Sequence, residues 1–171
     1  MSMLPFVAFD AVPLDVANDC LERWGHRMGR VNRPMGALAQ HALLLEGRPV
    51  AVVTTSTLIR ERVGGGLHHL TRENTLELSR LRPGLCRVAL RLWREFVFPA
   101  LGYKVAISYQ DADLHTGTTY RFDGWKRLAY ARAGGNDTRS GRATRNRWVW
   151  AWPAAAALVS SDASLAAAGA A

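Results

Sequence analysis

Alternation of apolar and polar residues predicts most of the strands in this chain. Two such runs flank Glu46-Gly47-Arg48, an order that predicts a β-hairpin. Leu76, Leu78 and Leu81 alternate with polar residues, as in a half-buried strand. Residues 1–13 are predicted to form an edge strand or an arm. The other predicted strands are Ala39–Leu45, Pro49–Leu58, Thr75–Leu81, Val105–Tyr109, Leu128–Ala133 and Arg147–Trp152.

Helical spacing of apolar residues predicts three helices. The spacing in 15–27 suits a helix that Asp15 caps. Residues 87–101 give the clearest pattern, with one apolar side and one basic side. Pro99 is expected to end or kink that helix near Val97. A third, short helix is predicted over 116–123.

Length and composition indicate one globular domain. The 171 residues are enough for a sizeable core, and residues 1–153 are predicted to form a single catalytic domain. Residues 154–171 are rich in Ala and Ser and are expected to be a disordered tail. Two widely spaced cysteines exclude a disulfide framework or a zinc ribbon. We expect a cytoplasmic protein that does not associate with membranes, as a monomer or a homodimer.

Charge is concentrated in one segment. The net charge is +8, and residues 121–147 hold eight Lys and Arg against two Asp, which gives +6 there. Such clustering is typical of phosphate binding, although a solvated surface is the alternative. The arginines expected to contact a polyanion are Arg127, Arg139, Arg142, Arg145 and Arg147.

Four chemically capable side chains follow one another at the end of a predicted strand. Ser108 and Asp111 end the strand, and His115 and Tyr120 come shortly after it. Open α/β sheets bind ligands at such ends. Tyr120 is a candidate general acid, since a phenol is protonated at neutral pH. Asp111 is a candidate proton acceptor or metal ligand, while Ser108 and His115 complete the group.

Each of these residues also has an ordinary structural role open to it. Tyr120 can pack one side of a short helix. Asp111 can cap a turn.

Two imidazoles and a carboxylate suit non-haem iron, so His26, Asp111 and His115 are a candidate metal set.

The order of elements from Gln40 to Trp125 resembles the GNAT acyltransferase fold. Tyr120-Arg121-Phe122-Asp123-Gly124-Trp125 resembles the tyrosine-to-glycine-aromatic signature near the end of that fold. The resemblance implies an α/β protein with a twisted mixed sheet flanked by helices, and acetyl-coenzyme A or another acyl-coenzyme A as donor. Its pyrophosphate turn corresponds to Arg80, Arg82, Gly84 and Arg87, although this turn has one glycine where GNAT enzymes have two.

A narrower resemblance is to the bacteriophage Mom family of GNAT-like DNA-modification proteins. It rests on three pieces, Glu77-Leu78-Ser79-Arg80, Ile107-Ser108-Tyr109-Gln110-Asp111 and His115-Thr116-Gly117 with Tyr120. His26 in Gly25-His26-Arg27 matches a histidine that the family carries near its N-terminus. The resemblance implies that the protein modifies adenine N6 in double-stranded DNA, by carbamoylmethylation or a related acyl-type transfer. The modified DNA would evade restriction by the host.

Two other functions fit the same residues. One is an ordinary N-acetyltransferase that acts on a small-molecule or protein amine. The other is a non-catalytic DNA-binding module, in which Asp111 and Tyr120 have no chemical role.

Overall fold

The computed structural model describes residues 7–32, 36–59, 70–82, 85–132, 136–137, 142–143 and 145–153. The described residues fall into two compact units, the first within 1–57 and 77–102 and the second within 58–76 and 103–171. The predicted tail at 154–171 lies outside the described residues. No helix in the described part of the chain is long and apolar enough to cross a membrane.

The first unit contains the predicted hairpin and two helical segments. Its two-residue turn, Glu46 and Gly47, has φ values of 50° and 74°. Positive φ at both positions is the geometry that joins twisted antiparallel strands most tightly. The elements are β1 Val7–Ala11, α1 Leu14–Arg23, β2 Ala37–Leu45, β3 Arg48–Thr57, β4 Thr75–Arg82 (which begins in the second unit), α2 Cys86–Leu92, a π-helical turn Trp93–Val97 and α3 Phe98–Ala100.

The second unit carries the remaining strands. Its elements are β5 Val105–Asp111, α4 Thr118–Phe122, β6 Lys126–Ala131, β7 Asn136–Asp137, β8 Arg142–Ala143 and β9 Arg147–Trp152. Strands β5 and β6 both pair antiparallel with β9. Strands β7 and β8 pair with each other.

The strand order is β1-β2-β3-β4 in the first unit and β5-β9-β6 in the second. Antiparallel pairing joins β1 to β2 and β2 to β3, and helices separate β4 from β5 along the chain, a connection typical of mixed sheets. The predicted fold class, a mixed sheet flanked by helices, is therefore confirmed.

Helix α1 begins one residue earlier than predicted and has a different start. Pro13 occupies the N-cap position and no side chain caps the helix. Asp15 lies inside the first turn, where its Oδ1 accepts a hydrogen bond from the adjacent Val16 N–H at 2.8 Å. The predicted Asp15 cap is wrong, because the N-cap position is occupied by Pro13, whose side chain has no hydrogen-bond acceptor.

The long helical segment passes through Pro99 instead of ending before it. A π-helical turn at Trp93–Val97 precedes the proline and is followed by one more α-helical turn, α3. A wider turn accommodates a residue that cannot donate a backbone hydrogen bond. Phe98, directly after this turn, is buried. Val88 and Phe96 belong to the apolar side of the predicted helix, but both are exposed, at 46% and 68%.

Candidate active site

A hydrogen bond joins two of the predicted site residues in the second unit. The Ser108 Oγ of β5 lies 2.8 Å from the Tyr120 hydroxyl of α4. Ser108 is buried, at 2% exposure, whereas Tyr120 is partly accessible. Either oxygen is able to donate, so Ser108 donates whenever the Tyr120 oxygen carries extra negative charge.

Two tryptophans fix the position of the Tyr120 ring. Trp150 of β9 lies directly opposite Ser108, which places both side chains on one face of the sheet. The rings of Tyr120 and Trp150 are stacked, with centroids 5.6 Å apart and planes 20° apart. Trp125 meets the other side of Tyr120 edge-on at 5.4 Å. Contacts on two sides restrict the phenol to one direction.

A buried glutamine holds Trp150 in place. Gln110 is 4% exposed, and its Oε1 accepts a hydrogen bond of 2.8 Å from the Trp150 Nε1–H. Its Nε2 donates to the backbone carbonyls of His115 and Asp111. One amide therefore ties the indole beneath Tyr120 to the loop that precedes α4.

Gly117 allows that loop to lie against the tryptophan. It has a φ of 78° and occupies the N-cap position of α4. A Cβ at this position would overlap the Trp150 ring and the Gln110 Oε1. Glycine is the residue that fits both the left-handed backbone and the close approach.

The carboxylate of Asp111 organises a turn and meets an arginine. Its Oδ1 accepts from the Asp113 N–H at 3.2 Å, and its Oδ2 lies 3.4 Å from the Arg145 Nη1. The His115 N–H donates to the Asp111 carbonyl at 3.2 Å, while the His115 side chain is exposed. These contacts match the structural alternative for Asp111, a turn cap; its predicted chemical role stays a prediction.

Basic and aromatic side chains stack on the same face of the second unit. The Arg127 guanidinium carbon lies 4.4 Å from the Trp148 ring centroid and 5.0 Å from that of Trp150. Tyr130 packs against Trp148 with centroids 4.6 Å apart. Arg127 and Tyr130 are both exposed. We call Arg127, Tyr130 and Trp148 the stacking surface.

The other predicted polyanion contacts are dispersed. Arg147 lies over the Tyr109 ring at 5.5 Å, and Arg145 pairs with Asp111. Arg142 belongs to β8, but its side chain is outside the described residues. Arg139 is also outside them. Among the described residues of the predicted group, Arg127 lies over tryptophan rings and Arg147 over a tyrosine ring.

The predicted donor-binding and metal residues are resolved only in part. Arg80 Nη1 donates to the Ser79 carbonyl at 2.7 Å, and Arg87 is exposed near the start of α2. Arg82 ends β4, and Gly84 lies outside the described residues. His26 belongs to the first unit, where its Nδ1 accepts from the Met28 N–H.

No metal set is assembled among these side chains. Across the described residues, no three His, Cys, Asp or Glu side chains are grouped so that they could hold a metal ion. The predicted grouping of His26 and His115 with Asp111 is therefore absent from this arrangement. Widely spaced residues in a sequence give no indication of whether they meet, which is why spacing alone did not decide the matter.

Two residues of the site were given no role from sequence. Gln110 and Gly117 belong to the motifs described above. Nothing in the sequence indicated that Gln110 holds Trp150 in place or that Gly117 lies in close contact with it. The signal for Gly117 was a glycine directly before a short helix. The signal for Gln110 was the alternation of side chains along β5, which places Gln110 on the same face of the sheet as Ser108.

Comparison with known proteins places the fold. No family model and no curated protein sequence matches the chain. Solved structures do match, among them Arabidopsis thaliana NAA60 in complex with acetyl-coenzyme A, at a TM-score of 0.60 and 10% identity over 86% of this chain and 98% of that one. Spermidine N-acetyltransferase from Vibrio cholerae matches at a TM-score of 0.60 and 7% identity, over 89% of this chain and 96% of that one.

A third structure carries the family name. It is the acetyltransferase of the GNAT family from Streptococcus pneumoniae, with a TM-score of 0.57 and 11% identity over 85% of this chain and 98% of that one. Likeness at such low identity defines a fold and not an activity. The chain therefore has the GNAT acetyltransferase fold, as the order of its elements predicted.

Proposed function

We propose that the protein is an N-acyltransferase that moves an acyl group from acyl-coenzyme A to an amine. The observation that carries the proposal is the Ser108–Tyr120 hydrogen bond, held by Trp150 and Gln110 inside a GNAT fold. A fixed, protonated phenol beside a buried hydroxyl suits a general acid.

In this reaction acyl-coenzyme A is a substrate that supplies the acyl group as a thioester. The acceptor nitrogen forms the new C–N bond, the C–S bond breaks, and the nitrogen loses one proton to solvent or a base. Tyr120 gives its hydroxyl proton to the departing sulfur and is reprotonated afterwards. Ser108 donates to the Tyr120 oxygen while it is negatively charged, which stabilises the phenolate.

The start of α2 supports the choice of donor. Leu85 occupies the N-cap position, and no side chain caps the first backbone N–H groups of the helix. Uncapped helix starts bind phosphate, and exposed Arg87 adds positive charge there. Arg80 and Arg87 are the described residues that would hold the diphosphate of the donor.

The first test measures thiol release from acetyl-coenzyme A in the presence of spermidine, a peptide with a free N-terminus, or duplex DNA. We expect Tyr120→Phe to lower kcat about 100-fold or more, since proton transfer by a positioned group contributes that much. Tyr103→Phe, which removes a phenol hydroxyl outside the site, is the control and is expected to retain activity. Full activity of Tyr120→Phe would exclude the general-acid role.

A second candidate function is transfer to adenine N6 in double-stranded DNA, as the Mom resemblance implies. The stacking surface favours it, because Arg127 lies over Trp148 in the segment that carries a charge of +6. Enzymes that modify a base take it out of the duplex and stack it on aromatic side chains, and arginines nearby hold the phosphates.

Salt dependence and base analysis test this second function together. Arg127→Gln is expected to weaken DNA binding and to reduce the slope of log affinity against log salt by about 1. Arg23→Gln makes the same charge change on α1 and serves as the control. Mass spectrometry of nucleosides from cells that express the protein is expected to show a modified deoxyadenosine. Equal affinities for both variants and an unmodified base profile would leave only the amine acceptors.

A further inference from the structure

A row of five polar side chains, four of them buried, crosses three neighbouring strands in the first unit. Gln40 of β2 lies opposite Thr54 of β3, and Ser79 Oγ of β4 lies 3.2 Å from Thr54 Oγ1 and 2.8 Å from Ser56 Oγ. Glu77 precedes Ser79 by two residues and therefore shares its face. We call Gln40, Thr54, Ser56, Glu77 and Ser79 the polar row.

The polar row continues a face that is otherwise apolar. Two residues further along β2 from Gln40, Ala42 pairs with Val52 of β3, and these two residues pack with Cys20 and Leu21 of α1. Apolar packing explains that half of the face. The other half holds five polar residues, of which four are buried, with Gln40 at 8%, Thr54 at 0%, Ser56 at 7% and Glu77 at 5% exposure, while Ser79 is partly exposed.

Hydrogen bonds account for only part of this polarity. The hydroxyls of Thr54 and Ser56 each bond to the hydroxyl of Ser79, and Ser79 Oγ also donates to the Thr54 carbonyl at 3.2 Å. The Gln40 Nε2 is buried and has no hydrogen-bond partner among the described residues. Buried polar groups are normally paired, so a buried amide nitrogen without a partner indicates that something else supplies one.

Chemistry defines what the polar row fits. An amide N–H group donates to an oxygen or a ring nitrogen, and a carboxylate such as that of Glu77 accepts from an amine. Hydroxyls between them both donate and accept. The complementary ligand is a small polar amine that carries a hydrogen-bond acceptor atom within a few bonds of its nitrogen.

We propose that the polar row binds the acceptor amine, with Gln40 donating to the acceptor atom of the ligand and Glu77 facing its amine. This inference rests on the proposed acyltransferase function. It explains why the sequence retains an unpaired buried amide where an apolar side chain would stabilise the fold, since binding sites keep such groups at the expense of stability.

Gln40→Met separates a binding role from a structural one. Methionine has a similar length but no amide, so we expect the KM for glycinamide to rise about tenfold, the loss of one hydrogen bond, with the KM for acetyl-coenzyme A unchanged. The urea midpoint of unfolding is expected to increase, because an unpaired buried group has been removed. An unchanged glycinamide KM, or a lower midpoint, would overturn the proposal.

Thr54 and Thr55 provide a matched pair of controls. They are adjacent on β3, both fully buried, and point to opposite faces. Thr54→Val is expected to raise the glycinamide KM. Thr55→Val removes a hydroxyl that accepts from Trp93 Nε1, so it is expected to lower stability and leave the KM unchanged. Equal effects of the two variants on KM would count against the polar row.

Binding without the donor distinguishes this inference from the proposed function. Calorimetry with glycinamide, a peptide-like amine, and with 9-methyladenine, a base-like amine, is carried out on the wild type and on Gln40→Met. Binding of either probe that Gln40→Met weakens supports the polar row, even if no acyl transfer occurs. If neither probe binds the wild type, the polar row is not an acceptor site, even if transfer is observed.

Discussion

The hydroxyl groups of Ser108 and Tyr120 are 2.8 Å apart, and this hydrogen bond links strand β5 to helix α4. Ser108 is almost completely buried, so the hydrogen bond is shielded from water on one side. A hydrogen bond in such surroundings is stronger than the same bond in solvent.

Ser108→Ala is expected to lower kcat roughly fivefold, because the Tyr120 oxygen loses a donor worth about 1 kcal/mol. Ser108 acts through Tyr120, so the double variant Ser108→Ala/Tyr120→Phe is expected to be no slower than Tyr120→Phe alone. Steady-state kinetics of the three variants tests this. Multiplicative losses would indicate that Ser108 acts on the substrate independently of Tyr120.

Gly117→Ala is expected to destabilise the protein by about 2–4 kcal/mol, since it combines backbone strain with overlap against Trp150. Gly102→Ala is the matched control. Its φ is 73° against 78° for Gly117, but a Cβ there meets nothing within 4 Å. Urea denaturation measures the free energy of unfolding of both variants, and the difference between them isolates the cost of the overlap. Equal losses of unfolding free energy would contradict a close contact at Trp150.

Trp93 and Thr55 are expected to be coupled by about 1 kcal/mol of unfolding free energy. Both are fully buried, and the Trp93 Nε1–H donates to Thr55 Oγ1 at 2.8 Å. A double-mutant cycle with Trp93→Phe and Thr55→Val measures the coupling. Strictly additive losses would show that the indole contributes packing alone.

His41 is expected to make the protein less stable below about pH 6.5. Burial lowers the pKa of its imidazole, and Asp10 opposes that change to a smaller extent. The unfolded chain therefore takes up the proton at a higher pH than the folded one. The contribution of neutral His41 is complete above the unfolded pKa and declines as the pH falls from there toward the folded pKa.

The test of this pH dependence compares the wild type with His41→Gln by urea denaturation between pH 7.5 and pH 5. Other groups titrate in both proteins, so the difference between the two isolates His41. We expect the wild type to lose more free energy of unfolding than the variant does. Parallel curves would mean that the folded and unfolded proteins protonate His41 alike.

Local patterns in the sequence predicted the strands well. The turn at Glu46 and Gly47 and the alternation of Leu76 and Leu78 depend on neighbours in the chain, and both elements lie where expected. Pro99 was predicted to end or kink its helix near Val97, and the helix is irregular there, with a π-helical turn at Trp93–Val97. The form of the irregularity was not predictable, because a proline permits several ways of rearranging the preceding turn.

The candidate site was predictable as a set of residues but not as an arrangement. Ser108 and Tyr120 were named from their order along the chain, and they do meet. The bracing by Gln110 depends on Trp150, which is forty residues away and becomes adjacent only when β9 pairs with β5. No local pattern carries that information, because it depends on strand order in the sheet.

The π-helical turn also affects how this chain must be aligned with others. A π turn is equivalent to an α-helix that has gained one residue. Against a protein with an unbroken helix here, this sequence therefore needs a gap of one position within Trp93–Val97. An alignment without the gap would set buried Phe98 against a solvent-facing position, and every position from there to the next gap would be displaced by one.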